Sequence, residues 1–128
     1  RKKPLLDGLQ PNDIALPVTK SLIGNLNNEA AIEELVSSMS KLHKESYLKT
    51  IEASMSTFHE HIFPKINVQT LILVGEKDTL TPPSMALEIH KLIKNSEFSI
   101  IEEAGHLINI EKPKAFNYKI LQFLKNLN

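Results

Sequence analysis

Two short apolar, β-branched runs with one helical pattern between them constrain this chain more than any other feature. Gln69-Thr70-Leu71-Ile72-Leu73-Val74 is continuous rather than alternating, as in a strand covered on both faces of a parallel sheet. Gly75 breaks it. Thr81 is placed to cap a helix and Pro82 to open it, where a missing N–H costs nothing. Met85, Ala86, Ile89, Leu92 and Ile93 then recur at helical spacing, and Asn95-Ser96 ends the pattern. Phe98-Ser99-Ile100-Ile101 reads as a second buried strand, broken by Gly105. Pro113 opens a last helix with Phe116, Ile120, Leu121, Phe123, Leu124 and Leu127 directed inward. Strand, helix, strand at this spacing is a βαβ unit, so the strands are expected to run parallel with a right-handed crossover. Two strands are too few for an independent sheet covered on both faces. The expected fold class is therefore α/β: a strand-helix-strand-helix part of a mostly parallel sheet that needs further strands.

Residues 1 to about 66 contain no convincing strand. Pro4, Gly8, Pro11 and Pro17 punctuate a loop-like opening in which Asp13 offers a turn or cap. A short helix is expected around Leu16 to Leu22, ending near Gly24. Asn28 can cap a helix carrying Glu29 in its first turn, with Ile32, Leu35, Val36, Met39 and Leu42 on one face. A further helix follows, with Tyr47, Leu48, Ile51, Met55 and Phe58 on one face, and Pro64 ends it. Such amphipathic helices must bury their stripes against something else. Ordinary packing is the plain reading of the stripe; Met39, Met55 and Phe58 also suit a substrate tunnel, being soft and adaptable.

Composition removes several function classes. In 128 residues the 15 basic and 15 acidic side chains balance, which gives no electrostatic case for nucleic acid or anionic membrane as a partner. There is no cysteine, hence no disulfide scaffold, thiolate metal site or cysteine nucleophile. No apolar run approaches the roughly 20 residues of a membrane span. The first residue is Arg1, and Arg1-Lys2-Lys3-Pro4 is not followed by a signal-like apolar region. The chain is expected to start after processing or in the middle of a longer protein, and its expected location is cytoplasmic.

Chemistry gathers past the carboxyl ends of strands in open parallel sheets. Val74 is followed by Gly75-Glu76-Lys77-Asp78, and Glu102 by Glu103-Ala104-Gly105-His106. Parallel strands bring both loops to one edge, about 4.8 Å apart if they are neighbours. A carboxylate on one ring nitrogen of a histidine sets its tautomer and stabilises the imidazolium, leaving the other nitrogen to take a proton from a hydroxyl or water. Alone, Asp78 reads as a turn former or cap, and His106 as a structural histidine. Their order and the flanking Gly and Thr-Pro-Pro favour the catalytic reading. Leu80 and Leu107, next to the acid and the histidine, are candidates for a substrate pocket or plain core. His59-Glu60-His61 would set its two imidazoles about 200° apart on a helix, so no metal site is expected there. His43 and His90 lie on charged helical faces and read as solvated. Glu102 and Glu103 can modulate the histidine loop or simply be solvated, and Ser84 reads as a cap.

At these residues the chain resembles the α/β-hydrolases. Gly75-Glu76-Lys77-Asp78-Thr79-Leu80-Thr81-Pro82-Pro83 is similar to their acid-bearing loop. Ala104-Gly105-His106-Leu107 is similar to their histidine loop, followed by a last helix opening near Glu111-Lys112-Pro113. Ile66 to Val74 resembles their penultimate core strand. The resemblance covers about residues 60 to 128 and implies Asp78 as triad acid and His106 as base, in the family's order of nucleophile, acid, histidine. It implies a helical cap segment over 1–62 and the C-terminal part of the hydrolase core over 63–128. The family's Gly-x-Ser-x-Gly nucleophile motif does not occur, and no Ser stands between two of the four glycines at that spacing. The resemblance thus implies that nucleophile and oxyanion loop lie upstream, in the remaining N-terminal part of the same protein. What it implies functionally is a cofactor-free hydrolase of a small-molecule acyl substrate, an ester, thioester or lactone. Dehalogenases, epoxide hydrolases, carbon–carbon bond hydrolases and cofactor-free haloperoxidases share this C-terminal half. The alternative is a non-catalytic binding or interaction protein on the same scaffold.

Overall fold

The computed structural model describes residues 2–55 and 59–127. They form two compact units, one of residues 1–21 and 26–58, the other of residues 22–25 and 59–128.

The first unit is helical. Helix α1 (Lys2–Leu6) and the first part of α2 (Pro11–Leu22) occupy the opening expected to be loop-like; the helix expected around Leu16 to Leu22 is the rest of α2, whose last residue groups with the second unit. Proline punctuation misleads here for a definable reason. Pro4 and Pro11 sit in the first turns of their helices, where N–H groups have no intrahelical partner anyway. Only Pro17 lies inside a helix, and α2 continues past it with Ile14, Ala15, Val18 and Thr19 buried. Asp13 does act locally, its Oδ2 accepting the Gln10 N–H at 2.7 Å. Helix α3 (Glu29–Ser40) starts at Asn28 as expected, whose Oδ1 accepts the Ala31 N–H at 3.2 Å. Helix α4 (Lys44–Met55) follows, its Glu52 paired with Lys2 of α1 at 2.7 Å. Tyr47, Leu48 and Ile51 are half-buried, whereas Met55 is exposed; Phe58 lies outside the described residues.

The second unit carries the chemistry. A 3-10 turn, Glu60–Lys65, holds Pro64 within it rather than ending a long helix, so His59 and His61 do not share an α-helical stretch; both are exposed. Strands β1 (Thr70–Gly75) and β2 (Ser96–Ile101) pair in parallel, Thr70 opposite Ser96 through Gly75 opposite Ile101. Helix α5 (Pro83–Leu92) joins them and packs on both. It begins one residue later than its sequence pattern, with Pro82 rather than Thr81 at the N-cap and Pro83 opening it. Val74, Ala86, Ile93, Ile101 and Ala104 are buried. Most of β1 is only half-buried, in keeping with a βαβ unit that covers a sheet face incompletely. A four-residue helix α6 (Ile108–Glu111) precedes α7 (Pro113–Lys125). Phe116, Ile120 and Phe123 form the inward stripe of α7, at spacings of four and three residues. Leu121, Leu124 and Leu127, expected inward, are exposed: Leu121 lies well off that stripe, Leu124 at its edge near the helix end, and Leu127 past the end of α7.

At the ends of the strands the backbone packs closely. A Cβ on Gly75 would collide with the carbonyl oxygen of Gly105 and stand 2.5 Å from that of Ala104, and a Cβ on Gly105 would collide with the Leu22 carbonyl oxygen and the Gly24 nitrogen. Backbone atoms cannot yield as a side-chain tip can. Gly105→Ala should therefore destabilise the intact protein by about 1–3 kcal/mol, the usual cost of overpacking, read as a lower midpoint in urea unfolding. An unchanged midpoint would contradict this contact.

Candidate active site

The acid loop begins as β1 ends. The Glu76 N–H donates to the Ile101 carbonyl at 2.9 Å and the Lys77 N–H to that of Ala104 at 2.8 Å, so the loop stays laced to the segment after β2. Glu103, in the left-handed region at φ 58°, donates its N–H to Glu76 Oε2 at 2.9 Å. Its carboxylate pairs with Lys77 at 2.6 Å, and that hydrogen bond and charge hold it below the usual carboxylate range. The pair is solvent-exposed and adds little by itself. Glu103 thus turns the backbone after β2 and ties it to the acid loop, whereas sequence alone left it as one of two strand-end carboxylates.

Asp78 turns inward at the head of this loop and is 6% exposed. Its Oδ1 accepts the backbone N–H groups of Leu80 and Thr81 at 2.9 and 3.0 Å, an Asx-type turn. Its Oδ2 accepts the Thr81 hydroxyl at 2.8 Å and lies 2.9 Å from His106 Nδ1. An ionised carboxylate only accepts, so Nδ1 carries the proton and the imidazole is oriented by this bond. Thr81 Oγ1 also lies 3.2 Å from Nδ1. Thr81 is therefore a third member of the cluster rather than a helix cap. Its signal in the sequence was the three-residue spacing from Asp78, which suits a side chain closing a turn. Among the described residues no hydrogen bond reaches Nε2, and the His106 side chain is 32% exposed. The pair thus presents an imidazole oriented through Nδ1 and partly open to solvent.

Burial acts to raise the Asp78 pKa, because it disfavours the charged form. The hydrogen bonds from the Thr81 N–H, His106, the Thr81 hydroxyl and the Leu80 N–H outweigh it, and the net direction is down.

The histidine loop is equally constrained. The His106 N–H donates to the Leu22 carbonyl at 2.7 Å. Glu111, 6% exposed, accepts the Gly105 N–H on Oε1 at 2.9 Å and the Gly24 N–H on Oε2 at 2.8 Å. In the sequence Glu111 reads only as the lead-in to the last helix; its signal was a charge next to Leu107, Ile108 and Ile110.

A cavity of about 330 Å³ opens beside the pair. Asp78, Thr81 and His106 supply its polar atoms, while Ile72, Val74, Met85, Ile89 and Ile108 supply apolar wall. Leu80 is exposed and Leu107 half-buried, and neither lines this cavity.

A family model described as alpha/beta hydrolase fold matches residues 20–113. The chain belongs to that family. Among its relatives is a pimeloyl-[acyl-carrier protein] methyl ester esterase of Neisseria meningitidis serogroup B, 36% identical over 56 residues, which are 44% of this chain and 22% of the relative. Carboxylesterase YbfK of Bacillus subtilis is 33% identical over 60 residues, 46% of this chain and 20% of that protein. An esterase structure from Thermogutta terrifontis superposes with a TM-score of 0.87 at 22% identity, covering 98% of this chain and 48% of the other. A bromoperoxidase from Bacillus anthracis gives 0.85 at 24% identity, covering 98% and 47%. At such identities the structural likeness speaks for the fold alone. This chain of the α/β-hydrolase family spans about half the length of the similar structures, and the segment it shares with the curated relatives is about a fifth of each of them. Among the described residues no helix is long and apolar enough to cross a membrane.

The hydrogen bonds to Asp78 carry a pH signature. A carboxyl whose pKa is lowered by folding stabilises the protein fully above the unfolded value, about 3.9, and loses that contribution as pH falls through the lower folded value. Urea unfolding of Asp78→Asn should accordingly show its largest deficit against wild type near neutral pH. The deficit should shrink as the pH falls below about 4; one that stays constant with pH would contradict the lowered pKa.

Proposed function

We propose that this chain carries the acid and the base of a Ser-His-Asp hydrolase acting on an ester, thioester or lactone. The observation that carries the reading is the 2.9 Å contact between Asp78 Oδ2 and His106 Nδ1, on an imidazole side chain that is 32% exposed. The esterase relatives favour an acyl substrate. The nucleophilic serine is proposed to lie outside this sequence, because Gly-x-Ser-x-Gly does not occur in it and the chain spans about half of each similar structure.

In this reading His106 Nε2 takes the proton as the serine oxygen attacks the substrate carbonyl. Asp78 stays ionised and stabilises the imidazolium. His106 then returns the proton to the leaving oxygen or sulfur as the acyl–enzyme forms. A water, deprotonated by the same nitrogen, attacks the acyl–enzyme, and the serine leaves with that proton. No cofactor takes part. Met85, Ile89 and Ile108, which line the cavity beside His106, are proposed as apolar contacts for the acyl group, with Leu80 and Leu107 as further ones. The helices of residues 1–62 are read as the last part of a helical cap domain, and 63–128 as the end of the hydrolase core.

His106→Ala in the intact protein should leave below about one per cent of wild-type kcat/KM toward a p-nitrophenyl ester, with the fold retained by circular dichroism. Residual activity above that level would remove His106 from the mechanism. Treatment of the intact protein with a serine-directed phosphonate should label one peptide, and mass spectrometry should place it outside residues 1–128. A label inside them would put the nucleophile in this chain.

A further inference from the structure

Glu111 is buried, engaged with two separate segments, and unused by the proton transfer. Helix α6 places it, the Glu111 N–H closing that helix on the Leu107 carbonyl at 2.9 Å, and Pro113 then starts α7. From there its two oxygens divide their work. Oε1 takes the N–H of Gly105, the residue before His106, and Oε2 takes that of Gly24, across 87 residues of chain. The carbonyl of Leu22, two residues before Gly24, takes the N–H of His106 itself. Glu111, Gly24, Leu22 and the histidine loop therefore form one closed circuit of hydrogen bonds. Within it the backbone packs so closely that Gly105 has no room for a Cβ.

The circuit has a chemical consequence. The direction of the His106 side chain depends on the peptide planes on either side of its Cα. The plane before it is held through the His106 N–H on the Leu22 carbonyl, and the plane before that through the Gly105 N–H on Glu111, while Asp78 holds the ring, so a shift of Gly105 is passed to Nδ1 and Nε2. Only a carboxylate can accept from both N–H groups; an amide in its place turns a donor toward one of them.

We infer that Glu111 is a positioning residue for His106, holding the histidine loop so that Nδ1 meets Asp78 and Nε2 faces the substrate. This rests on His106 being the base. Its effect is geometric, so it falls on the chemical step more than on substrate binding, since small misplacements of reacting groups are costly.

The test uses the intact protein, p-nitrophenyl ester hydrolysis, and active sites counted with a serine-directed phosphonate. Glu111→Gln should lower kcat per titrated site by about 10- to 100-fold, with KM within about threefold of wild type. Glu111→Asp keeps the charge but cannot span both N–H groups, and should fall between the two, at least about threefold below wild type in kcat. A downfield proton signal of the His106 Nδ1–H is expected in wild type and should weaken in Glu111→Gln. A wild-type kcat per titrated site in Glu111→Gln, with only a lowered melting temperature, would show that Glu111 merely holds the fold. If Glu111→Gln does not fold, a wild-type kcat in Glu111→Asp overturns the inference. His106→Ala serves as the separating control. Its inactivity alongside a fully active Glu111→Gln removes only the role of Glu111, whereas an active His106→Ala removes both.

Discussion

Backbone pressed on backbone at the ends of two parallel strands is the constraint on which the site depends. Gly75 closes β1 against the carbonyls of Ala104 and Gly105, and Gly105 closes against Leu22 and Gly24. Side chains there would spread the acid loop and the histidine loop apart. With none, main-chain bonds from Glu76 and Lys77 lace the loops together. The Asp78–His106 contact is then a small final step between two already joined segments, which is how a 2.9 Å bond survives between residues 28 positions apart.

Two buried carboxylates work on opposite sides of this junction. Asp78 receives four hydrogen bonds, and they outweigh the burial that would otherwise favour its neutral form. Glu111 receives main-chain N–H groups from two segments. One orients the imidazole ring and the other braces the backbone that carries it. A buried charge without such partners would be strongly destabilising, and among the described residues no buried side-chain nitrogen or oxygen lacks a hydrogen-bond partner.

The order of β1, α5, β2 and α7 was legible because hydrophobic periodicity, glycine breaks and helix-opening prolines are local signals. The same locality explains the errors. Pro4 and Pro11 look like loop markers until their place in a first helical turn is known. Leu121 looks like core until α7 chooses Phe116, Ile120 and Phe123 as its stripe, and Leu124 until the helix ends one residue later. Thr81 has the chemistry of a cap, but its hydroxyl is drawn to Asp78 three residues earlier.

Residue order alone determined a βαβ unit, a carboxylate and an imidazole past its two strands, and the similarity to α/β-hydrolases. These depend on periods and spacings of a few residues. The tertiary structure decided that Nδ1 faces Asp78, that Thr81 joins the pair, and that Glu111 braces the loop from Gly24. No spacing rule predicts a contact across 87 residues. It exists because a buried carboxylate must find N–H donors wherever the fold brings them.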